Sequence, residues 1–505
     1  MMKLPKRPND AVHWYMSGIT SRIVAESGRP DDRFHLGKIL FQSFKDVPDF
    51  LMQIDGATGE SETSGSALER TVRCANALRN IGLECGDVIV LMAPSHIDLA
   101  IPFYAAFYLG VIAAAVDRTL GVEELRDTFA VNRPKIVFCQ SEKAPDIQLA
   151  LNELELDTRI VTFDKGEFLC SFSEFLDEFD DGTSVDDFKF NDFDPEEAIA
   201  LLIATSGTTG LPKAAAITHK NFAINGPYLW SRCTNFPSPT RMALVVAPLQ
   251  WLTALMNFIL SPIMRYTRLQ TSTASTQEHT YDLINTYKEM SPDTEVVNCY
   301  GMSELCTIGF HGAGSAPPGS CGSLMGCFQY RLVDTETLED IVEPNVPGEL
   351  LIKGPGIFKG YYNNSKATEE TFAEDRWFKT GDTFYRDASW NYYFVERIKL
   401  LLKYKSYQIS PVEVENVIRH HPGVLDVAVT GIPDPESGDL PVACVVRRPE
   451  SDVTAQDIKD LVKGTLSDSK QLRGGVIFMD AIPMTASTKV HRRKLKELAL
   501  VMDKE

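Results

Sequence analysis

The run Ile199-Ala200-Leu201-Leu202-Ile203-Ala204-Thr205-Ser206-Gly207-Thr208-Thr209-Gly210-Leu211-Pro212-Lys213 carries residue types suited to one kind of chemistry. An apolar stretch of strand length empties into hydroxyls and glycines and ends on a lysine. Glycines let backbone N–H groups close on an anion, hydroxyls add donors, and the lysine supplies a point charge. Together they make a seat for a polyphosphate; the plain alternative is a generic Ser/Thr/Gly turn. The spacing is not that of the GxxxxGK[ST] phosphate loop. The ten cysteines include no CxxC pair, and neither Cys321/Cys327 nor Cys299/Cys306 has a familiar metal spacing. Reduced thiols in an intracellular chain are therefore expected, rather than a disulfide framework.

Such a loop needs a layered body to hold it. At 505 residues the chain is too long for one compact domain, and two or three are expected. Apolar runs of strand length alternate with helix-like segments, the pattern of α/β layers. Ala67 to Ile81 reads as a helix with Leu68, Val72, Ala75 and Leu78 as its apolar stripe; Val88–Leu91 and Lys135–Cys139 read as strands. Leu99 to Val116 is uncharged and long enough to span a membrane, but Pro102 and Gly110 interrupt it. It reads instead as a buried helix ending at Gly110, followed by a buried strand. Between Glu174 and Glu197 eleven acidic residues face the single Lys189, so -10 of the net charge of -19 sits in one segment. That segment reads as a solvated surface stretch, with Phe175, Phe179, Phe188, Phe190 and Phe193 packing partly on the body. The acidic balance argues against a general affinity for nucleic acid, which needs a basic face. The N-terminal Met1 to Pro8 is basic without an apolar core behind it, so no signal peptide is read there. The terminal Asp503-Lys504-Glu505 does not match the peroxisomal tripeptide. A cytoplasmic location is the expectation, with no integral membrane segment. A boundary falls near Lys399, where a basic run (Arg397, Lys399, Lys403, Lys405) precedes a compact segment of about 110 residues, enough for a small domain.

The phosphate-seat segment closely resembles that of the adenylate-forming superfamily: acyl-CoA synthetases, coumarate-CoA ligases, beetle luciferases and peptide-synthetase adenylation domains. Further matches follow in the family's order: Tyr300-Gly301-Met302-Ser303-Glu304, Pro347-Gly348-Glu349-Leu350, Gly360-Tyr361-Tyr362-Asn363, Trp377-Phe378-Lys379-Thr380-Gly381-Asp382, Arg397-Ile398-Lys399, Tyr404 to Glu415, and Lys489. The chain looks most like insect luciferase-like acyl-CoA synthetases. The resemblance implies an α/β fold, with a large N-terminal domain of layered sheets (1–398) and a small mobile α+β C-terminal domain (399–505). It implies ATP, Mg²⁺ and CoA as ligands, and a small-molecule carboxylic acid, fatty or aromatic, as substrate. By the same resemblance, Ser206, Gly207, Thr208, Thr209, Gly210 and Lys213 hold phosphate. Glu304 is associated with Mg²⁺, a hard cation suited to oxygen ligands. Asp382 accepts the ribose hydroxyls, helped by Arg397, and Tyr300 and Gly301 wall the adenine. Lys489 bridges the carboxylate and α-phosphate. Lys399 is the hinge, and Lys403 serves after the small domain rotates.

The chain also departs from the pattern. Ala214, Ser406 and Thr488 replace three glycines, and Pro248-Leu249-Gln250-Trp251 lacks the family's histidine. A β-branched Thr488 is strained if its backbone needs φ > 0. Ser406 lies where a pantetheine arm should pass. The helix around Tyr281 to Lys288 runs almost directly into Asp293–Asn298, read as the strand before Tyr300. By family comparison about forty to fifty residues, a strand–helix–strand unit, are absent near 288–293. Two alternatives to a ligase stand beside it: a catalytically impaired paralogue that binds nucleotide or a partner, and a luciferase-like monooxygenase.

Overall fold

The computed structural model describes residues 10–505 except 57, 165–169, 206–212, 234–241, 246, 271–296, 313–315, 336, 406, 467 and 485–489. The fold is mixed α/β. Its centre is a seven-stranded sheet in the order Gly360–Tyr361, Lys213–Thr218, Ile199–Thr205, Ile112–Ala115, Val88–Met92, Ile136–Cys139, Arg159–Thr162. The last five strands of that order run parallel. Helices Ala100–Leu109, Val122–Asn132 and Ala144–Glu153 make the crossovers that parallel neighbours require. Ile89, Leu91, Ala113 and Phe138 enter one core, and Val88, Val90, Ala114 and Val137 enter a second on the opposite face. Cover on both faces is why these strands read as unbroken apolar runs.

The uncharged run behaves as its punctuation predicts. Every residue of Ala100–Leu109 is buried, Gly110 turns the chain at φ +71°, and Ile112–Ala115 is a buried strand. A Cβ on Gly110 would meet the Phe193 ring at 2.7 Å and Cys85 Sγ at 2.8 Å, so glycine is required twice over. Among the described residues no helix is long and apolar enough to cross a membrane, and the cysteines with described side chains are free. The acidic stretch is anchored rather than loose. Its helix Phe172–Phe179 starts on a Ser171 cap, and Phe175, Phe188 and Phe193 are buried. Arg73 holds Asp177 and Asp180 at 3.0 Å, Lys45 holds Asp186 at 2.8 Å, and Arg29 pairs with Asp192.

The stretch Phe378 to Phe394 is a strand pair, Phe378–Arg386 against Tyr392–Arg397, in a four-stranded antiparallel sheet with Gln329–Val333 and Gly348–Lys353. Its rings are core residues: Phe378, Phe384 and Tyr392 are buried. The helix read around 281–288 lies outside the described residues. Of 293–298, only Val297 and Asn298 are described, neither in a strand; the strand is Cys299–Met302, pairing with Thr307–His311.

From residue 402 a separate sheet begins: Tyr407–Ile409, Leu402–Tyr404, Gly438–Arg447 and Val424–Asp434, with Gly475–Phe478 parallel to Gly438–Arg447. Val427, Val429, Ala443 and Val445 pack on Val414 and Ile418 of helix Pro411–Arg419 and on Ile458 and Val462 of helix Ala455–Thr465. Ala428, Val442 and Cys444 face the other way, onto Leu495 and Ala499 of helix Arg492–Val501.

Candidate active site

Lys213 opens the strand that returns antiparallel to Ile199–Thr205, with Thr205 and Lys213 in register. The Thr205 hydroxyl donates to the Lys213 carbonyl at 3.3 Å, so the two ends of the phosphate-seat segment are joined. Ser206, Gly207, Thr208, Thr209 and Gly210 lie outside the described residues, as do Thr488 and Lys489. Strand Gly360–Tyr361 pairs with the outer side of Lys213–Thr218, Tyr361 opposite Ala215. That register brings Lys213 Nζ to 4.9 Å from the centre of the Tyr361 ring, a cation–π contact. The Tyr361 hydroxyl then donates to Glu304 Oε1 at 2.9 Å. Glu304 stands on the short 3-10 turn Ser303–Leu305 and is buried. The Phe358 N–H fixes that turn through the Glu304 carbonyl at 2.9 Å. Burial pushes the Glu304 carboxyl up; the Tyr361 hydrogen bond and the Arg397 charge pull it down.

A second group stands beside the first. Tyr300 donates from its hydroxyl to Asp382 Oδ2 at 2.7 Å. Asp382 Oδ1 faces Arg397 Nε at 3.3 Å yet forms no hydrogen bond with any described residue, although it is buried. Asp382 and Arg397 are cross-strand partners, which is why residues fifteen apart in sequence meet. Burial raises the Asp382 carboxyl, opposed by Arg397 and by Tyr300. The turn that presents Asp382 is pinned: Gly381 has φ +70°, its N–H donates to Glu349 Oε1 at 3.1 Å, and Thr380 Oγ1 accepts the Asp382 N–H at 3.1 Å. The Tyr300 ring packs edge-on against Phe384 at 4.7 Å. At Gly301 a Cβ would lie 2.8 Å from the Thr307 carbonyl, so the strands touch there.

Lys213, Tyr300, Glu304, Asp382 and Arg397 are thus brought to one place from three sheets and the turn Ser303–Leu305. Lys403 stands apart. It is an exposed residue of Leu402–Tyr404 whose backbone N–H donates to Asp439 Oδ2 at 3.1 Å, with no described contact to that group. Tyr361, Glu349 and Thr380 are the residues that sequence reading did not single out. All three sit in motifs quoted above, but their parts depend on partners 57, 32 and 2 positions away.

The residues present suit a nucleotide and a hard cation. A buried carboxylate oxygen without a hydrogen bond is an acceptor in want of a donor, which a sugar hydroxyl supplies. Glu304 offers oxygen chemistry of the kind Mg²⁺ takes. Among the described residues no cluster of three His, Cys, Asp or Glu could hold an ion alone. A cation at Glu304 would take further oxygen ligands, from water or phosphate.

The AMP-binding enzyme family model matches residues 41–289 and 280–362, and the AMP-binding enzyme C-terminal domain model matches 413–489. The chain belongs to the AMP-binding enzymes, the adenylate-forming superfamily. The Luciferin 4-monooxygenase of Photuris pensylvanica is 28% identical over 511 aligned positions, covering 90% of this chain and 93% of that protein. The 4-coumarate–CoA ligase-like 9 of Arabidopsis thaliana is 28% identical over 510 positions, covering 90% and 88%. ATP-bound MatB from Rhodopseudomonas palustris shares the fold with a TM-score of 0.78 at 22% identity, covering 92% of this chain and 98% of that one. Those 511 positions exceed the about 455 residues that 90% of 505 makes, so about 56 have no counterpart here. The two segments matched by the first family model meet at 280–289, beside the place where the sequence reading sets a missing unit.

Proposed function

We propose that the chain is an ATP-dependent acid–CoA ligase acting through an acyl-adenylate on a fatty or aromatic acid. One observation carries the reading: Asp382 keeps a buried oxygen that no described residue hydrogen-bonds, beside Arg397 and Tyr300 and within the field of Glu304. That arrangement suits a ribose whose phosphates run toward Lys213. In the first half-reaction a carboxylate oxygen of the acid attacks the α-phosphorus of ATP, forming the acyl–phosphate bond and expelling pyrophosphate. In the second, the CoA thiol loses its proton and attacks the acyl carbonyl, forming the thioester and releasing AMP.

Ser206, Gly207, Thr208, Thr209, Gly210 and Lys213 take the phosphates. Glu304, steadied by Tyr361, would hold Mg²⁺ against them; when bound, the ion neutralises phosphate charge. Asp382 and Arg397 orient the ribose, and Tyr300 and Gly301 border the adenine. Lys489 supplies positive charge where the carboxylate and α-phosphate meet, and Lys403 serves thioester formation after rotation about Lys399. The division into residues 1–398 and 399–505 belongs to this proposal, as does a cytoplasmic location.

The test is acid-dependent exchange of labelled pyrophosphate into ATP, run with octanoate, laurate, benzoate and 4-coumarate. Exchange with one of them is expected. Folded protein that exchanges with none of these acids overturns the reading. The second reading, a paralogue that binds nucleotide without turnover, is favoured by the two-piece family match at 280–289. It would show as ATP binding without exchange.

A further inference from the structure

We propose that the pocket between residues 326–329 and the loop 353–357 is a binding site for an organic carboxylate with an apolar body, apart from the candidate active site. The cavity holds about 460 Å³, within the range of about 300–1,000 Å³ usual for small-molecule sites. Its sides follow from the antiparallel sheet. Gln329 and Lys353 are direct partners on neighbouring strands, and both line the pocket with the residues that flank them. The floor is apolar: Phe328 and Ile357 are buried, and the Phe372 ring stacks on Phe358 at 5.8 Å. At Gly354 a Cβ would lie 2.7 Å from the Cys327 carbonyl and 2.8 Å from the Phe328 ring, so the two sides touch there.

Two cations stand over this floor without a counter-charge. Lys353 and Arg376 line the pocket, and among the described residues neither side chain enters an ion pair or a hydrogen bond. They rest on rings instead: Lys353 Nζ is 5.9 Å from the centre of Trp377, and Arg376 Cζ is 4.2 Å from that of Phe372. Arg331 shares the Trp377 ring at 5.2 Å but is already taken by Asp340 at 2.7 Å. Arg376 is held there under strain. Asp375 has φ +56° and Arg376 φ +60°, and non-glycine residues stay in the left-handed region only where their surroundings over-determine them. The Ala373 N–H on the Trp377 carbonyl at 2.7 Å and the Trp377 N–H on the Glu374 carbonyl at 3.3 Å fix that turn. Glu374 and Asp375 are exposed and do not line the cavity; among the described residues no carboxylate does. Cys327 is neutral, its thiol pushed up to about 12 by burial. Positive charge at the lip and aromatic surface beneath it suit a carboxylate on an aliphatic or aryl body. A bare inorganic anion would leave the floor uncovered, and a neutral molecule would leave the cations unpaired. The loop at the far wall also runs beside Glu304. The Phe358 N–H, next after Ile357, donates to the Glu304 carbonyl, and Asn221 donates to the Ile357 and Pro355 carbonyls at 2.9 and 3.2 Å. A carboxylate seated on Lys353 therefore braces the loop that holds the Glu304 turn.

The test labels full-length protein with N-ethylmaleimide and follows Cys327 by peptide mass spectrometry, with the exposed Cys85 as internal control. Octanoate or benzoate at about ten times its dissociation constant is expected to slow Cys327 by about 10-fold and to leave Cys85 unchanged. In Lys353→Gln/Arg376→Gln the concentration for half protection rises by about 10-fold or more, because two charge-assisted contacts are lost. Lys353→Gln alone, with a smaller rise, replaces the pair if the pair does not fold. Deuterium exchange of residues 353–358, slowed by octanoate, decides the matter if Cys327 reacts too slowly to follow. Three results overturn the inference: neither acid protects, the variants are protected at the wild-type concentration, or inorganic phosphate protects as well as octanoate. None of these readouts needs turnover, so the outcome is independent of the ligase reading, which pyrophosphate exchange decides by itself.

Discussion

Tyr361 does two jobs with one ring: its face receives the Lys213 ammonium and its hydroxyl donates to Glu304. Tyr361→Phe keeps the first and removes the second. A hydrogen bond to a charged group is worth about 1.5–3 kcal/mol, so exchange is expected to fall by about 10- to 100-fold. The bond favours ionised Glu304; without it the carboxyl titrates higher, and the acid limb of the pH–exchange profile moves to higher pH. Asp382→Asn tests the unbonded oxygen. It should raise the KM for ATP by about 10-fold or more, read from exchange at varied ATP. A third residue reports on stability alone. His219 is wholly buried among Phe107, Phe193 and His35, and burial pushes its pKa down to about 3. The fold therefore favours the neutral ring: its contribution is complete above pH 6.5 and drains away as pH falls toward 3. Between pH 7 and pH 5 that amounts to about 2 kcal/mol. Urea unfolding at the two pH values should show this difference shrink by that amount in His219→Gln.

At the scale of elements, the turn between helix Ala100–Leu109 and strand Ile112–Ala115 is the sharpest single point of failure. Gly110→Ala must hold an alanine at φ +71° and push Phe193 and Cys85 aside. A loss of about 2 kcal/mol in urea is expected. If the loss is below about 0.5 kcal/mol, the close approach is wrong. This corner was legible in the sequence because glycine, uncharged flanks and β-branched residues are all local signals. The parallel strands were legible for the same reason, since cover on both faces leaves continuous apolar runs. The hairpin Phe378–Arg386 with Tyr392–Arg397 was harder to see, because the partners that bury its aromatic residues are not given by local residue types. Tyr361 and Glu349 were not legible at all. Each depends on a contact between elements distant in sequence, and nothing in the local residue types announces it.

At the scale of the molecule, the buried clusters from residue 402 onward are built from that region's own strands and helices. None of the buried residues of those two clusters belongs to the two clusters of the earlier part of the chain, so two cooperative units are expected. Calorimetry should therefore resolve two transitions, and saturating Mg·ATP should raise the larger one, by about 2.7 kcal/mol at one hundred times the dissociation constant. A single transition unmoved by nucleotide would contradict both the division and the ligand. The -10 of the segment Glu174–Glu197 is held by Arg29, Lys45 and Arg73 on the outer surface. At its other end the segment reaches the strand Gly360–Tyr361, since Glu197 pairs with Lys359 at 2.9 Å.

The two-residue strand Gly360–Tyr361 closes one end of the seven-stranded sheet. A sheet that ends in so short a strand offers little backbone for another chain to pair with. The same two residues hold the Glu304 carboxylate through Tyr361. Solubility and the geometry of the proposed site are therefore inherited together at this edge: a change that lets the strand drift exposes Lys213–Thr218 to other chains in the same stroke that frees Glu304. Selection against aggregation would preserve this corner of the site even in a lineage that had stopped using its activity.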